Sequence, residues 1–354
     1  MNITKLKDLL ELVALSRTSF ITKNYPVAPV GAKGTFGGTL VAQSLLSSLN
    51  TVPKDFIPIS LHCYFIYGGN PNEMIQYDVK SLRNGRNFIH KQVDAYQFNK
   101  LIFSSMILFS RDKNPKTTIE HRTDGDNDND DDKVKYHKTV SHRVTNKRQF
   151  QKASELFKKD ILNNEINLKK FQRLNQRFND PTYLKKVHES FEMHPLEYKF
   201  PLDIFKPDRK EYSKCLEYFV RVREDSIKIP PSPNLHVQDH PENELITPEN
   251  DPRYNYVAFA YLSDSYLLLT LPYFHGLPMY SHTFSVSLDH TIYFHHLPKV
   301  NDWLRLQLHN IRSVSDRHLI QCEHYDAQSG QIVASVSQEG LVIYPPVSHI
   351  KARL

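Results

Sequence analysis

Ser60-Leu61-His62-Cys63-Tyr64-Phe65 and Ser287-Leu288-Asp289-His290-Thr291-Ile292 are the two stretches whose comparison decides the fold. They align at an offset of 227, with Ser60 falling on Ser287. Each follows an apolar helix candidate, Leu40 to Leu49 in the first case and Tyr266 to Leu271 in the second. Each precedes segments in which apolar and polar residues alternate, the pattern of half-buried strands. These are Ile75 to Leu82, Phe88 to Tyr96 and Leu101 to Phe109, then Trp303 to Ile311, His318 to Tyr325 and Gln331 to Tyr344. Asn84-Gly85 marks a tight hairpin, and Ser329-Gly330 a turn before the last strand. A helix followed by antiparallel strands, written twice, predicts an α+β fold of two tandem helix-on-sheet units.

Texture divides the chain into a first unit at 1–112, a polar middle at 113–250, a second unit at 251–345 and a tail at 346–354. The 354 residues leave room for two cores plus insertions. The middle opens with Asp124, Asp126, Asp128, Asp130, Asp131 and Asp132, a run that cannot bury anything and reads as a flexible surface loop. A calcium loop starting at Asp124 would put Asn129 and Lys135 where Gly and Glu are required. Gln149 to Phe178 has helical spacing amid many charges and predicts helix packed on the outside, while Asp225 to Asp251, with its prolines, predicts a loop. Met1 to Arg17 reads as a short amphipathic helix, too charged for a secretory signal. No run approaches a membrane span. Cys63, Cys215 and Cys322 are isolated, which argues against disulfides and for a reducing compartment. The net charge of +6 is spread along the chain, so it suits an anionic ligand without marking a nucleic-acid partner.

Several polar residues stand out, each with an ordinary reading. Asp264, between Ser263 and Ser265 and ahead of Tyr266-Leu267-Leu268-Leu269, reads alone as a helix cap. Ser287 reads alone as a strand residue. Gln338, in a strand otherwise built from Val333, Val336, Leu341 and Val342, is less ordinary because a polar amide there needs partners. His290, His295 and His296 cluster, but alternate strand side chains face opposite ways and no HExxH pattern is present, so structural roles rather than a metal are expected.

Blocks of sequence then match in order. Thr35-Phe36-Gly37-Gly38-Thr39-Leu40-Val41-Ala42-Gln43, Ser60-Leu61-His62 with Tyr64-Phe65, and Leu82-Arg83-Asn84-Gly85-Arg86-Asn87-Phe88 form the first set. Tyr261-Leu262-Ser263-Asp264, Ser287-Leu288-Asp289-His290, Tyr293-Phe294-His295 and Gln338-Glu339-Gly340 form the second. Together they resemble the signature blocks of the type II acyl-CoA thioesterases, nearest to the fungal peroxisomal members. The resemblance covers both patterned regions and leaves out the acidic run and most of the middle. It implies a double hot-dog fold, each helix lying across a curved antiparallel sheet and the sheets joined edge to edge. It also implies hydrolysis of fatty acyl-CoA by a catalytic trio of Asp264, Ser287 and Gln338, with no cofactor and no metal.

Thioester hydrolysis needs a positioned water, a proton acceptor and donors aimed at the developing oxyanion. Asp264 would be the base, its pKa raised by burial, and Ser287 and Gln338 would hold the water. The 227 offset takes Asp264 to Gly37 and Ser287 to Ser60, and an offset of 231 by the last strand takes Gln338 to Ile107, so only the second unit is equipped. Asp289 is an alternative base, paired by the offset with His62. Arg83, Arg86 and Lys91 around the hairpin are either solvated surface or phosphate contacts for CoA, and Gly37 and Gly38 either start a helix or let ligand approach. The competing functions are a hot-dog hydratase or dehydratase, whose usual motif is not visible, and a non-catalytic acyl-CoA-binding protein.

Ala352-Arg353-Leu354 is a conservative variant of the Ser-Lys-Leu peroxisomal address. It implies the peroxisomal matrix and an import receptor as partner. No nucleic-acid partner is expected, and a homo-oligomer is left open.

Overall fold

The computed structural model describes residues 3–112, 149–206, 214–229 and 244–345. The acidic run, the prolines at 230–241 and the C-terminal tripeptide lie outside these residues.

The chain opens with α1 (Leu6–Leu10), β1 (Leu12–Ala14) and β2 (Ser19–Thr22), then α2 (Gly37–Leu49), β3 (Phe56–Phe65), β4 (Gln76–Asn84), β5 (Phe88–Gln97) and β6 (Lys100–Arg111). It continues through β7 (Phe150–Lys152), α3 (Ala153–Phe157), α4 (Glu165–Leu174), α5 (Pro181–Met193), β8 (Leu196–Pro201) and β9 (Leu216–Val222). It ends with α6 (Tyr254–Ser263), α7 (Leu271–Phe274), β10 (Phe284–Ser287), β11 (Asp289–Phe294), β12 (Leu304–Val314), β13 (Arg317–Asp326) and β14 (Ile332–Ile343). The strands form one sheet ordered β1-β2-β4-β5-β6-β3-β11-β14-β13-β12-β9-β8-β7, with β10 also paired to β14.

The two halves meet where β3 pairs antiparallel with β11. Cys63 stands opposite His290, and these are the residues that the 227 offset makes equivalent. The flanking pairs His62↔Thr291 and Tyr64↔Asp289 exchange under the same offset. A pseudo-two-fold axis therefore passes between Cys63 and His290, and the duplication is written into the junction itself.

Register also corrects one equivalence. Tyr64 pairs with Ser104 on β6, and its counterpart Thr291 pairs with Ser337 on β14. Ser337 thus matches Ser104, and Gln338 matches Ser105 rather than Ile107. The turns of the second unit contain more extra residues than sequence spacing suggested.

Helix α2 is buried from Gly38 to Leu49 and α6 along its whole length. The two pack on each other above the sheet, so each is covered on every side and shows no amphipathic stripe. Fully buried Leu45 and Leu49 each contribute roughly 1.5–3 kcal/mol. Small hydroxyl residues fit this close packing by bonding back into their own helix, Ser44 to the Val41 carbonyl and Ser47 to that of Gln43.

The second helix lies earlier than Tyr266 to Leu271. Tyr266 has a left-handed φ of 61°, and only a short 3-10 turn and α7 follow, with Pro272 in the first turn of α7. Asp264 consequently stands at the C-terminal end of α6, with φ −86° and ψ −9°, and the helix-start reading of that residue is overturned. At the N-terminus the helix is confined to Leu6–Leu10, where Leu6 and Leu10 are buried, and the chain then turns into β1. The stretch 149–178 opens with strand β7 rather than helix, then is largely helical from Ala153 as expected, but buries Phe157, Phe171 and Phe178. The polar middle also supplies β7, β8 and β9, which extend the sheet beyond β12. Their apolar alternation is interrupted by ion-paired residues such as Glu197 and Arg221, which hid it in the sequence.

Candidate active site

The C-terminal end of α6 abuts the N-terminal end of α2, which is why both first residues of α2 are glycine. A Cβ on Gly37 would lie 2.7 Å from Asp264 Oδ2, and one on Gly38 would lie 2.5 Å from the Tyr261 carbonyl oxygen. The approach brings the Gly38 N–H close enough to the Asp264 carboxylate to favour its charged form. The opening N–H groups of a helix have no acceptor within it and carry partial positive charge, so this is favourable for an anion.

Three side chains from three elements converge there. Gln338 of β14 donates from Nε2 to Asp264 Oδ1 at 2.7 Å and to Ser287 Oγ at 2.6 Å. Ser287, the last residue of β10, has its Oγ 3.5 Å from the same Oδ1, the outer limit of a hydrogen bond. Ser287 pairs with Gly340, where a Cβ would come within 2.4 Å of Leu268, so the glycine leaves room for that side chain beside the strand. Gln338 is fully buried and Asp264 is 9% exposed.

Burial dominates the electrostatics. Desolvation raises the Asp264 pKa to about 7, against the lowering effect of hydrogen bonds from Gln338, Gly38 and Ser287. A carboxyl group so placed exchanges its proton near neutrality and can act as an acid or a base.

The other candidates sit elsewhere. Asp289 neighbours His290 on β11 and faces the opposite side of the sheet, where it accepts the Glu339 N–H at 2.7 Å. Lys91 is buried and donates to Ser81 Oγ at 2.6 Å, so its ammonium is already engaged. Arg83 and Arg86 are exposed on the β4–β5 hairpin. Arg83 is opposite His90, His90 opposite Leu108, and Leu108 opposite Ser60, whereas the Phe65 N–H, five residues along β3, meets the Leu288 carbonyl beside Ser287. Hairpin and trio are therefore roughly 16 Å apart along the strand direction. His295 bonds Ser335 and His296 bonds Gln331. Among the described residues, no group of His, Cys, Asp and Glu is arranged to hold a metal.

Two neighbours of the trio were not placed there by sequence reading. Gly38 was seen as a glycine, but its backbone N–H is what reaches the site. His290 is fully buried, with Nε2 2.9 Å from Ser263 Oγ, directly behind the trio. Both His290 and Ser263 lie inside the matching blocks that carry Ser287 and Asp264, and that was the available signal.

A family model described as acyl-CoA thioesterase matches residues 215–341, and one described as the acyl-CoA thioesterase N-terminal domain matches residues 26–110. The chain is 50% identical to peroxisomal acyl-coenzyme A thioester hydrolase 1 of Saccharomyces cerevisiae, over 100% of this chain and 98% of that protein. It is 25% identical to acyl-CoA thioesterase 2 of Haemophilus influenzae, over 95% of this chain and 97% of that one. Among solved structures, an acyl-CoA thioesterase II of Mycobacterium marinum aligns with a TM-score of 0.61 and 20% identity, over 96% of both chains. A protein with a hot dog fold from Alicyclobacillus acidocaldarius aligns with a TM-score of 0.55 and 12% identity, over 96% of this chain and 98% of that one. The double hot-dog expectation agrees with these likenesses and with two helices on one joined antiparallel sheet.

Proposed function

The chain belongs to the acyl-CoA thioesterase family and is an acyl-CoA thioester hydrolase, and we propose that it cleaves fatty acyl-CoA by direct attack of a water held by Asp264, Ser287 and Gln338. The observation that carries this reading is the buried contact of Gln338 Nε2 with both Asp264 Oδ1 and Ser287 Oγ. It joins a base of raised pKa to a hydroxyl and an amide that can orient one water.

In the proposed reaction the water oxygen bonds to the thioester carbonyl carbon while its proton passes to the Asp264 carboxylate. The oxyanion that forms is favoured by the positive end of α2 at Gly37 and Gly38. Collapse breaks the carbon–sulfur bond, and the departing thiolate takes the proton from Asp264, giving fatty acid and free CoA. No covalent intermediate is needed. The first unit participates through α2, although its own counterparts of the trio lack the acid and the amide.

The remaining assignments are part of the same proposal. Arg83 and Arg86 are the exposed hairpin cations available to the CoA phosphates, a role that requires the pantetheine arm to extend along β3. Ala352-Arg353-Leu354 would be read by the peroxisomal import receptor and place the protein in the matrix.

Purified protein mixed with palmitoyl-CoA and a thiol-reactive dye tests the substrate class directly. Hydrolysis releases a free thiol, whereas hydration of the acyl chain or simple binding does not. Absence of thiol release with palmitoyl-CoA would remove long-chain fatty acyl-CoA from the reading.

A further inference from the structure

Gln338 has a second polar end. Its N–H groups are used by Asp264 and Ser287, which leaves its carbonyl oxygen Oε1 buried without a partner. His290 Nδ1 is likewise buried without a partner. The two belong together. Thr291 stands opposite Ser337 on neighbouring strands β11 and β14, which sets His290 and Gln338 at one level of the ladder. The Gln338 side chain acts on the imidazole, favouring its protonated form against the larger effect of burial.

Proton placement decides whether this neighbourhood is satisfied. With the proton on Nε2, His290 donates to Ser263 Oγ, and neither Nδ1 nor Gln338 Oε1 has a donor. With the proton on Nδ1, the ring donates to Oε1, while Nε2 accepts from Ser263, whose hydroxyl can serve either way. The second arrangement removes both buried orphans at once.

We infer that His290 is a positioning residue for the water site, its Nδ1–H donating to Gln338 Oε1 and its Nε2 accepting from Ser263 Oγ. This rests on the reading of Asp264, Ser287 and Gln338 given above. The consequence is orientation. A primary amide turned end for end would present oxygen to the Asp264 carboxylate and lose both donors at the site, and the His290 bond blocks that turn. The ring is suited to a fixed dipole because burial holds its pKa at about 3, so it carries one proton at neutral pH. His324 beside it is neutral for the same reason, its pKa also lowered to about 3 by burial. The pair is peculiar to the unit with the acid, since Cys63 and Ser105 occupy the equivalent positions across the pseudo-two-fold axis.

The test compares His290→Asn, which sets an amide nitrogen near the Nδ1 position, with His290→Gln, which sets it toward Nε2. On palmitoyl-CoA, His290→Asn is expected to keep most of kcat. His290→Gln is expected to lose roughly 10-fold in kcat with KM little changed, the size of effect typical of groups that orient catalytic ligands. In a Gln338→Ala background the same His290→Gln change should cost nothing further. Equal kcat for the Asn and Gln variants, or a His290→Gln loss that persists in full without Gln338, would overturn the inference while leaving the trio in place. Full activity of Gln338→Ala alone would instead overturn the trio. A direct readout avoids variants that fail to fold: nitrogen NMR of histidine-labelled wild-type protein should show His290 as the Nδ1–H tautomer, and an Nε2–H tautomer contradicts it.

Discussion

Gln338 Nε2 lies 2.7 Å from Asp264 Oδ1, joining the middle of the last strand to the end of α6. The contact spans 74 positions of sequence and crosses a boundary where water is excluded on almost every side. An amide that donates to a carboxylate stabilises its charged form, yet burial outweighs that help and holds the Asp264 pKa at about 7.

This titration has a sign. Below the unfolded value of 3.8 both states are protonated, and Asp264 brings no penalty. As pH rises from there to about 7, the unfolded chain gives up its proton while the folded one keeps it, so stability falls; above about 7 the loss is complete, at about 4 kcal/mol. Asp264→Asn should therefore melt higher than wild type near pH 8 and almost equally near pH 4. Calorimetry across that range checks it, and a variant less stable near pH 8 would show that the carboxylate is well compensated. The wild-type kcat/KM should climb with pH and level off above about 7, as the base ionises.

The two glycines of α2 should differ in what they damage. A methyl on Gly38 meets the backbone oxygen of Tyr261, which cannot swing aside, so Gly38→Ala is expected to cost about 1–3 kcal/mol of stability. A methyl on Gly37 meets the Asp264 carboxylate and the Phe65 ring, both side chains. Gly37→Ala should lower kcat more than it lowers the melting temperature. Melting curves and turnover measured together separate the two; a silent Gly38→Ala would contradict the helix contact.

How much of this was legible depended on which signal each residue left. The duplication was readable because the two copies keep the same spacing through β3 and β11, and the structure then shows that the aligned residues Cys63 and His290 also pair in space. Helix α6 was missed because a helix covered on all sides has no periodic stripe, and the leucines after Asp264 looked more helical than Tyr254–Ser263. That error reversed the local meaning of Asp264, from the start of one helix to the end of another. The trio was reached through the order of family blocks, since Ser287 reads alone as a strand residue and the Gln338 amide calls for partners without identifying them. The Gly38 N–H and the His290–Gln338 neighbourhood depend on tertiary approach and had no local signature.

Charge at the hairpin is open to a substrate comparison. Arg86→Glu should raise KM for an acyl-CoA more than for an acyl thioester that lacks the nucleotide, because a like charge beside phosphates repels as well as failing to attract. Kinetics on the two thioesters decide it. Equal effects on both would place Arg86 outside the CoA site.

The tail makes a cell-biological forecast. Deleting Leu354 from a protein tagged at its N-terminus should change punctate fluorescence, coincident with a peroxisomal marker, into diffuse cytosolic signal. Unchanged puncta would show that another signal carries the address.

The most direct test of the central claim is the turnover of Asp264→Asn on palmitoyl-CoA, measured on protein whose folding has been confirmed by its melting curve. Asparagine keeps the shape of the side chain and removes the proton acceptor, so kcat should fall by roughly 10²-fold or more with KM little changed. Wild-type turnover in the folded variant would contradict the account, because it would mean that the water finds its base elsewhere.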